Sequence, residues 1–163
     1  MIPKTFFSQL LASLAALVVI CIAVFGFINL DYFRNFHLEA MRAAARREAK
    51  LIGEMIRFSG IGVPSPELDE LCLDIRRSSE SRITIIAADG QVLAESDGRR
   101  GLMDSHHDRP EVIQALDTGM GWSLRGSDTL ESDMMYTALR FQQARTAPPL
   151  VIRVATPLSR VVF

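Results

Sequence analysis

The longest hydrophobic feature of the chain has no alternation at all. Residues 6–30 hold 20 apolar positions out of 25, and the 26 residues between Lys4 and Asp31 carry no charge. A helix rises about 1.5 Å per residue, so a hydrocarbon core of about 30 Å needs about 20 residues. The run Leu14-Ala-Ala-Leu-Val-Val-Ile-Cys-Ile-Ala-Val-Phe25 and its flanks satisfy that length. A secretory signal has a shorter apolar stretch that ends at small residues. This segment instead exits through Phe25, Phe27, Ile28 and Leu30. The pattern predicts an uncleaved membrane helix over 6–30, preceded by a short amino terminus, 1–5.

Beyond the apolar block the period turns helical. Residues 31–58 are rich in Ala, contain no Pro, and reach Gly53 before any Gly. Phe33, Phe36, Ala40, Met41, Ala44, Ile52, Met55 and Ile56 approximate an i, i+3, i+4 stripe. The stripe suits a helix packed on its own domain and equally a dimer seam running on from the membrane. Gly60-Ile-Gly-Val-Pro-Ser-Pro66 ends this helix, and Ser65 is placed to cap a second one with Pro66 at its first position. Leu68, Leu71, Cys72 and Ile75 form the apolar face of that second helix, up to about Ser79. Arg82–Ala87 and Gln91–Ser96 then read as strands, with Asp89-Gly90 between them predicting a two-residue type I′ hairpin turn. A polar loop over Asp97–Ser105 leads to a short helix, Arg109–Leu116, started by Asp108 or a neighbour and closed by Gly119 and Gly121. Three further strands are predicted at Trp122–Ser127, Met134–Gln142 and Leu150–Thr156. This order predicts an α+β fold with a five-stranded antiparallel sheet and helices on one face. The domain plan is 1–5, 6–30 in the membrane, 31–58 as a membrane-proximal signalling helix, and 59–163 as the outer domain.

Composition excludes one class of partner. With 18 Lys+Arg against 19 Asp+Glu the formal charge is −1, which leaves no basic excess for a nucleic-acid backbone. Cys21 lies in the middle of the apolar segment and cannot reach Cys72, so no disulfide is expected within the chain. The bases flanking the membrane helix, counted alone, favour an outside amino terminus, although Asp31, Glu39 and Glu48 accompany the downstream ones.

The motifs in order resemble a known family. They are Arg82-Ile-Thr-Ile-Ile-Ala-Ala-Asp-Gly-Gln-Val-Leu-Ala-Glu-Ser96, His106-His-Asp-Arg-Pro-Glu-Val112, Arg125-Gly-Ser-Asp-Thr-Leu130, Asp133-Met-Met-Tyr-Thr-Ala138 and Val151-Ile-Arg-Val-Ala-Thr-Pro-Leu158. Placed after an anchor and a long helix, they are similar to the extracytoplasmic sensor of phosphate-regulon-type histidine kinases, a PAS-like domain of the Cache class. The resemblance covers nearly the whole chain. It implies an inside amino terminus, a sensor domain outside the inner membrane, and a homodimer. It also implies a response regulator that would be reached only through a kinase region. No phosphoacceptor box or Gly-rich nucleotide loop occurs among the 163 residues; His37, in Phe36-His-Leu-Glu-Ala40, does not match such a box. The expectation is therefore the input part of a longer receptor or a shortened product, without catalytic residues and without a cofactor. The other readings are the input module of a diguanylate cyclase or chemoreceptor, and a free-standing anchored binding protein.

The polar cluster Asp104, His106, His107, Asp108 and Arg109 is the candidate for chemistry. In Cache-like domains the ligand pocket lies between the sheet and this loop-helix region. His106, Arg109 and Arg125 could converge there on a small carboxylate or phosphate, because a guanidinium fork binds such groups bidentately. Tyr136 would donate a hydrogen bond. Such an Arg125 should be dispensable for folding. A divalent metal held by His and Asp is the weaker functional alternative, and no metal is expected. Otherwise Asp108 caps the helix and Arg109 pins the loop to a neighbouring acid. Ser105 beside His106 does not make a hydrolytic triad, since neighbours in sequence point apart.

Overall fold

The computed structural model describes residues 4–79, 81–97, 105–126 and 133–158. Residues 98–104 of the predicted polar loop, Asp104 among them, and Ser127–Leu130 of the Arg125 motif lie outside the described residues. The chain divides into two compact units, 1–40 and 41–163.

The described residues of the first unit are all helix, the beginning of α1 (Lys4–Ser59). Leu11–Asn29 has a mean hydropathy of 2.9 with none of it buried, so it is long and apolar enough to cross a membrane. Rings cluster directly after it. Phe33 and His37 meet edge to face at 4.3 Å, and Tyr32 stacks with Phe36 at 6.5 Å. Aromatic side chains at that position suit a membrane–water boundary.

The second unit holds the end of α1, α2 (Pro66–Ser78), β1 (Arg82–Ala87), β2 (Val92–Glu95), α3 (Pro110–Thr118), β3 (Met120–Gly126), β4 (Asp133–Phe141) and β5 (Leu150–Pro157). The five strands form one antiparallel sheet in the order β2-β1-β5-β4-β3. β1 and β5 are buried along nearly their whole length because both faces of the sheet are covered. On one face α1 and α2 pack through Ala45, Ala49, Ile52, Ile56, Leu68 and Cys72 against Ile83, Ile85, Ile152 and Val154. On the other, Val112 and Ala115 of α3 pack against Ile86, Ala138 and Val151. Each large aliphatic side chain buried this way contributes about 1.5–3 kcal/mol.

Four expectations change here. The helices cover both faces rather than one, which is why β1 and β5 carry apolar side chains toward both sides of the sheet. The buried stripe of α1 follows Ala45 and Ala49, while Ala44 and Met55 are exposed. Asp108 does not cap α3: Arg109 occupies that position without a side-chain hydrogen bond, and the Asp108 carboxylate lies 3.8 Å from the Arg109 guanidinium. Gly121 does not close the helix but belongs to β3.

The hairpin turn also differs from type I′. The Gly90 N–H donates to the Ala87 carbonyl, so Ala88 and Asp89 are the central residues and Gly90 follows them at φ 90°. A turn followed by a left-handed residue is the usual longer hairpin connection. The Ser65 hydroxyl accepts the Leu68 N–H and caps α2, with Pro66 at the first turn, as the sequence predicts.

Candidate functional site

Side chains alternate along a strand, so register alone assembles the site. Thr84 is opposite Glu95 on one side and Arg153 on the other, and Arg153 is opposite Ala138, itself opposite Gly121. This row of five runs across the face covered by α3. In the neighbouring rows Tyr136 is opposite Ser123, and Arg125 is opposite Met134. Gly121 has a specific reason to be glycine: a Cβ there would overlap the Glu111 carbonyl oxygen and lie 2.9 Å from the Ala115 nitrogen. Its absence lets the first turn of α3 lie directly on β3.

That approach delivers the Glu111 carboxylate, fully buried, into the row. Glu111 Oε1 accepts from Arg125 Nη2 at 2.7 Å, and Oε2 accepts from the Ser123 hydroxyl at 2.6 Å. Arg153 Nη1 is 3.7 Å from the same Oε1. Both guanidinium groups lie by the Tyr136 ring, at 4.4 Å for Arg125 and 4.9 Å for Arg153. Among the described residues, two arginines therefore share one carboxylate.

Arg153 is 5% exposed, and among the described residues its Nε has no hydrogen-bond partner; nor has the Thr84 hydroxyl. Burial pushes the Arg153 guanidinium down to about 10; Glu111 and Tyr136 oppose that shift, and the charges of Arg125 and Arg109 add to it. A buried charge without full compensation is costly, and this one sits among other cations. At the other end of the row, buried Glu95 and half-buried Asp97 answer Arg82, at 3.7 and 2.6 Å, and Asp97 also pairs with Arg76. Among the described residues the positive surplus is thus local to Arg153 and Arg125.

Of the residues selected from sequence, Arg125 and Tyr136 are brought together. Arg125 is already engaged by the buried Glu111 carboxylate, which would lose its closest cation if Arg125 were removed. Tyr136 serves the guanidinium groups as a flat surface. Arg109 is close enough to act on Arg153 electrostatically and forms the loose pair with Asp108. His106 is buried, and its backbone N–H donates to the Gly90 carbonyl at 2.9 Å. His107 meets the Ser105 hydroxyl at 3.2 Å. Among the described residues no three His, Cys, Asp or Glu side chains gather as metal ligands.

Sequence reasoning missed Arg153, Glu111, Thr84 and Glu95 as members of the site. A signal existed for two of them: Arg153 is the lone charge in Leu150–Ala155, and Glu95 ends the buried Val92–Glu95 strand. Glu111 was legible only as an acid in the first turn of a helix, favourable to its dipole.

No protein-family model and no curated protein sequence matches the chain. Among solved structures it is similar to the sensor domain of DcuS from E. coli, with a TM-score of 0.52 over 74% of this chain and 93% of that chain, at 12% identity. At that identity the likeness is one of fold.

Proposed function

We propose that the chain is the membrane-anchored, extracytoplasmic sensory region of a two-component histidine kinase, and that its outer domain reads a small anion. The observation that carries the anion is Arg153: a buried guanidinium whose one near carboxylate, among the described residues, is held more tightly by Arg125. An anion bound by Arg153 and Arg125, with Arg109, His106 and Tyr136 around it, would neutralise the surplus. The fold shared with a sensor domain, the apolar segment Leu11–Asn29 and the order of the phosphate-regulon-type motifs support the receptor reading. A response regulator would be engaged through a kinase region.

The exposed positions Leu51, Met55 and Phe58 form one stripe of α1. In a homodimer a second copy would cover it.

The test is thermal unfolding of the full chain in detergent against a panel of small carboxylates and inorganic phosphate. Binding to the folded state alone stabilises by RT ln(1 + [L]/Kd), about 2.7 kcal/mol at a hundredfold excess over Kd. At least one anion is expected to raise the melting temperature in this way. A panel without any stabilising anion contradicts the reading and favours a scaffold role for the arginines.

A further inference from the structure

β3 carries the arginine–carboxylate site on one face and a contact with α1 on the other. Ser123 and Arg125 bond Glu111. Trp122, one residue before Ser123, must face the opposite side of the sheet. There the guanidinium carbon of Arg42, on α1, lies 3.3 Å from the centre of its ring. β3 is an edge strand, held in the sheet by β4 alone, and it is tied to α3. The Trp122 backbone N–H donates to Gln114 Oε1 at 3.1 Å, and Gly121 admits the Glu111 backbone. Strand and helix therefore move together, with one ladder to resist them.

We infer that the Arg42–Trp122 stack couples the Glu111–Arg125–Arg153 site to α1. The inference rests on the anion reading for its trigger. An anion that draws Arg125 or Arg153 away alters the carboxylate that also holds Ser123. β3 is then released at residues 123 and 125, and Trp122, adjacent to Ser123, shifts on the face where Arg42 rests. A guanidinium stacked on indole is an orientation-dependent contact, so a small rotation of the strand is felt by α1. Coupling of this kind requires an element with two arrangements, and the edge strand is that element.

Trp122 is the sole tryptophan of the chain, so its fluorescence reports the stack directly. The experiment uses the full chain in detergent and compares Arg42→Ala, Glu111→Gln, the milder Ser123→Ala, and each of the last two combined with Arg42→Ala. Arg42→Ala uncovers the ring; it should red-shift the emission and raise the acrylamide quenching constant. Glu111→Gln and Ser123→Ala act from the other face, yet should shift both in the same direction. In the Arg42→Ala background they should add much less, the non-additivity of coupled positions. If Arg42→Ala moves the emission while folded Glu111→Gln and Ser123→Ala leave it unchanged, the coupling is refuted. An emission insensitive to Arg42→Ala refutes it as well.

Calorimetry with inorganic phosphate, acetate and succinate separates the two claims. An anion that binds and shifts the Trp122 emission supports both. One that binds without shifting it overturns the coupling and leaves the anion site standing. If none of the three binds, the anion reading loses its support, and the variants alone decide whether the two faces of β3 are coupled.

Discussion

Arg153 stands between Ile152 and Val154 in a strand whose other central residues are all apolar. A stability argument alone would place an aliphatic residue there, because an under-compensated buried charge costs several kcal/mol. Its place beside Arg125, with one carboxylate between them among the described residues, is what points to a ligand. Gly90 illustrates the opposite kind of constraint, set by backbone. It has φ 90°, and a Cβ there would lie 2.5 Å from the His107 nitrogen and 2.7 Å from the His107 Cα. The left-handed conformation alone costs a residue with a side chain on the order of 1–3 kcal/mol, and the overlap with backbone adds to it. Gly90→Ala should therefore lower stability by at least that amount in denaturant unfolding; an unchanged midpoint would mean that the His106–His107 segment does not close on the turn. Cys72 is a third case. Burial pushes its thiol up to about 12, with Asp69 and Glu95 adding to the effect. At pH 8 only about one molecule in ten thousand would carry the thiolate, so it stays inert while the domain is folded.

At the scale of elements, the strands were legible because β1 and β5 are rich in Ile and Val, with few polar positions among them. The cap of α2 was legible because Ser65-Pro66 states it locally. What failed was register within an element. Ala43, Ala44 and Ala45 are equivalent in composition, and only packing on the sheet selects Ala45 for burial. The hairpin was recognised from Asp89-Gly90, but the hydrogen bond to Ala87 places the turn one residue earlier than the dipeptide suggests. The site was half legible for a different reason: residues 111, 125 and 153 are distant in sequence and meet only because β5 inserts between β1 and β4. The exposed stripe of α1 yields a prediction at this scale. Cysteines at Leu51, Met55 or Phe58 should cross-link two copies under mild oxidation in the membrane, whereas Lys50→Cys, about 100° around the helix, should not. Equal cross-linking at all four positions would contradict a defined seam.

For the whole molecule, the apolar segment and the motif resemblance together make one topological claim. If Leu11–Asn29 spans the membrane and the sheet domain lies outside, an impermeant maleimide should reach Glu70→Cys, exposed on α2, in intact cells. Native Cys72 is inert and Cys21 lies within the span, so the new thiol is the one that reacts. Labelling of Glu70→Cys only after lysis would reverse the orientation. The account as a whole depends on Arg153 being retained for an anion rather than for the fold. The most direct measurement is paired thermal unfolding of wild type and Arg153→Met in the full chain, with and without the anion that stabilises the wild type. Removing one partner of a buried ion pair is costly when it strands the other charge, but Glu111 keeps Arg125 at 2.7 Å as its partner, so Arg153→Met removes a buried charge without stranding the carboxylate. The account predicts that Arg153→Met melts at or above the wild-type temperature and no longer responds to the anion. An Arg153→Met protein that is strongly destabilised, or that keeps the full anion response, would contradict it.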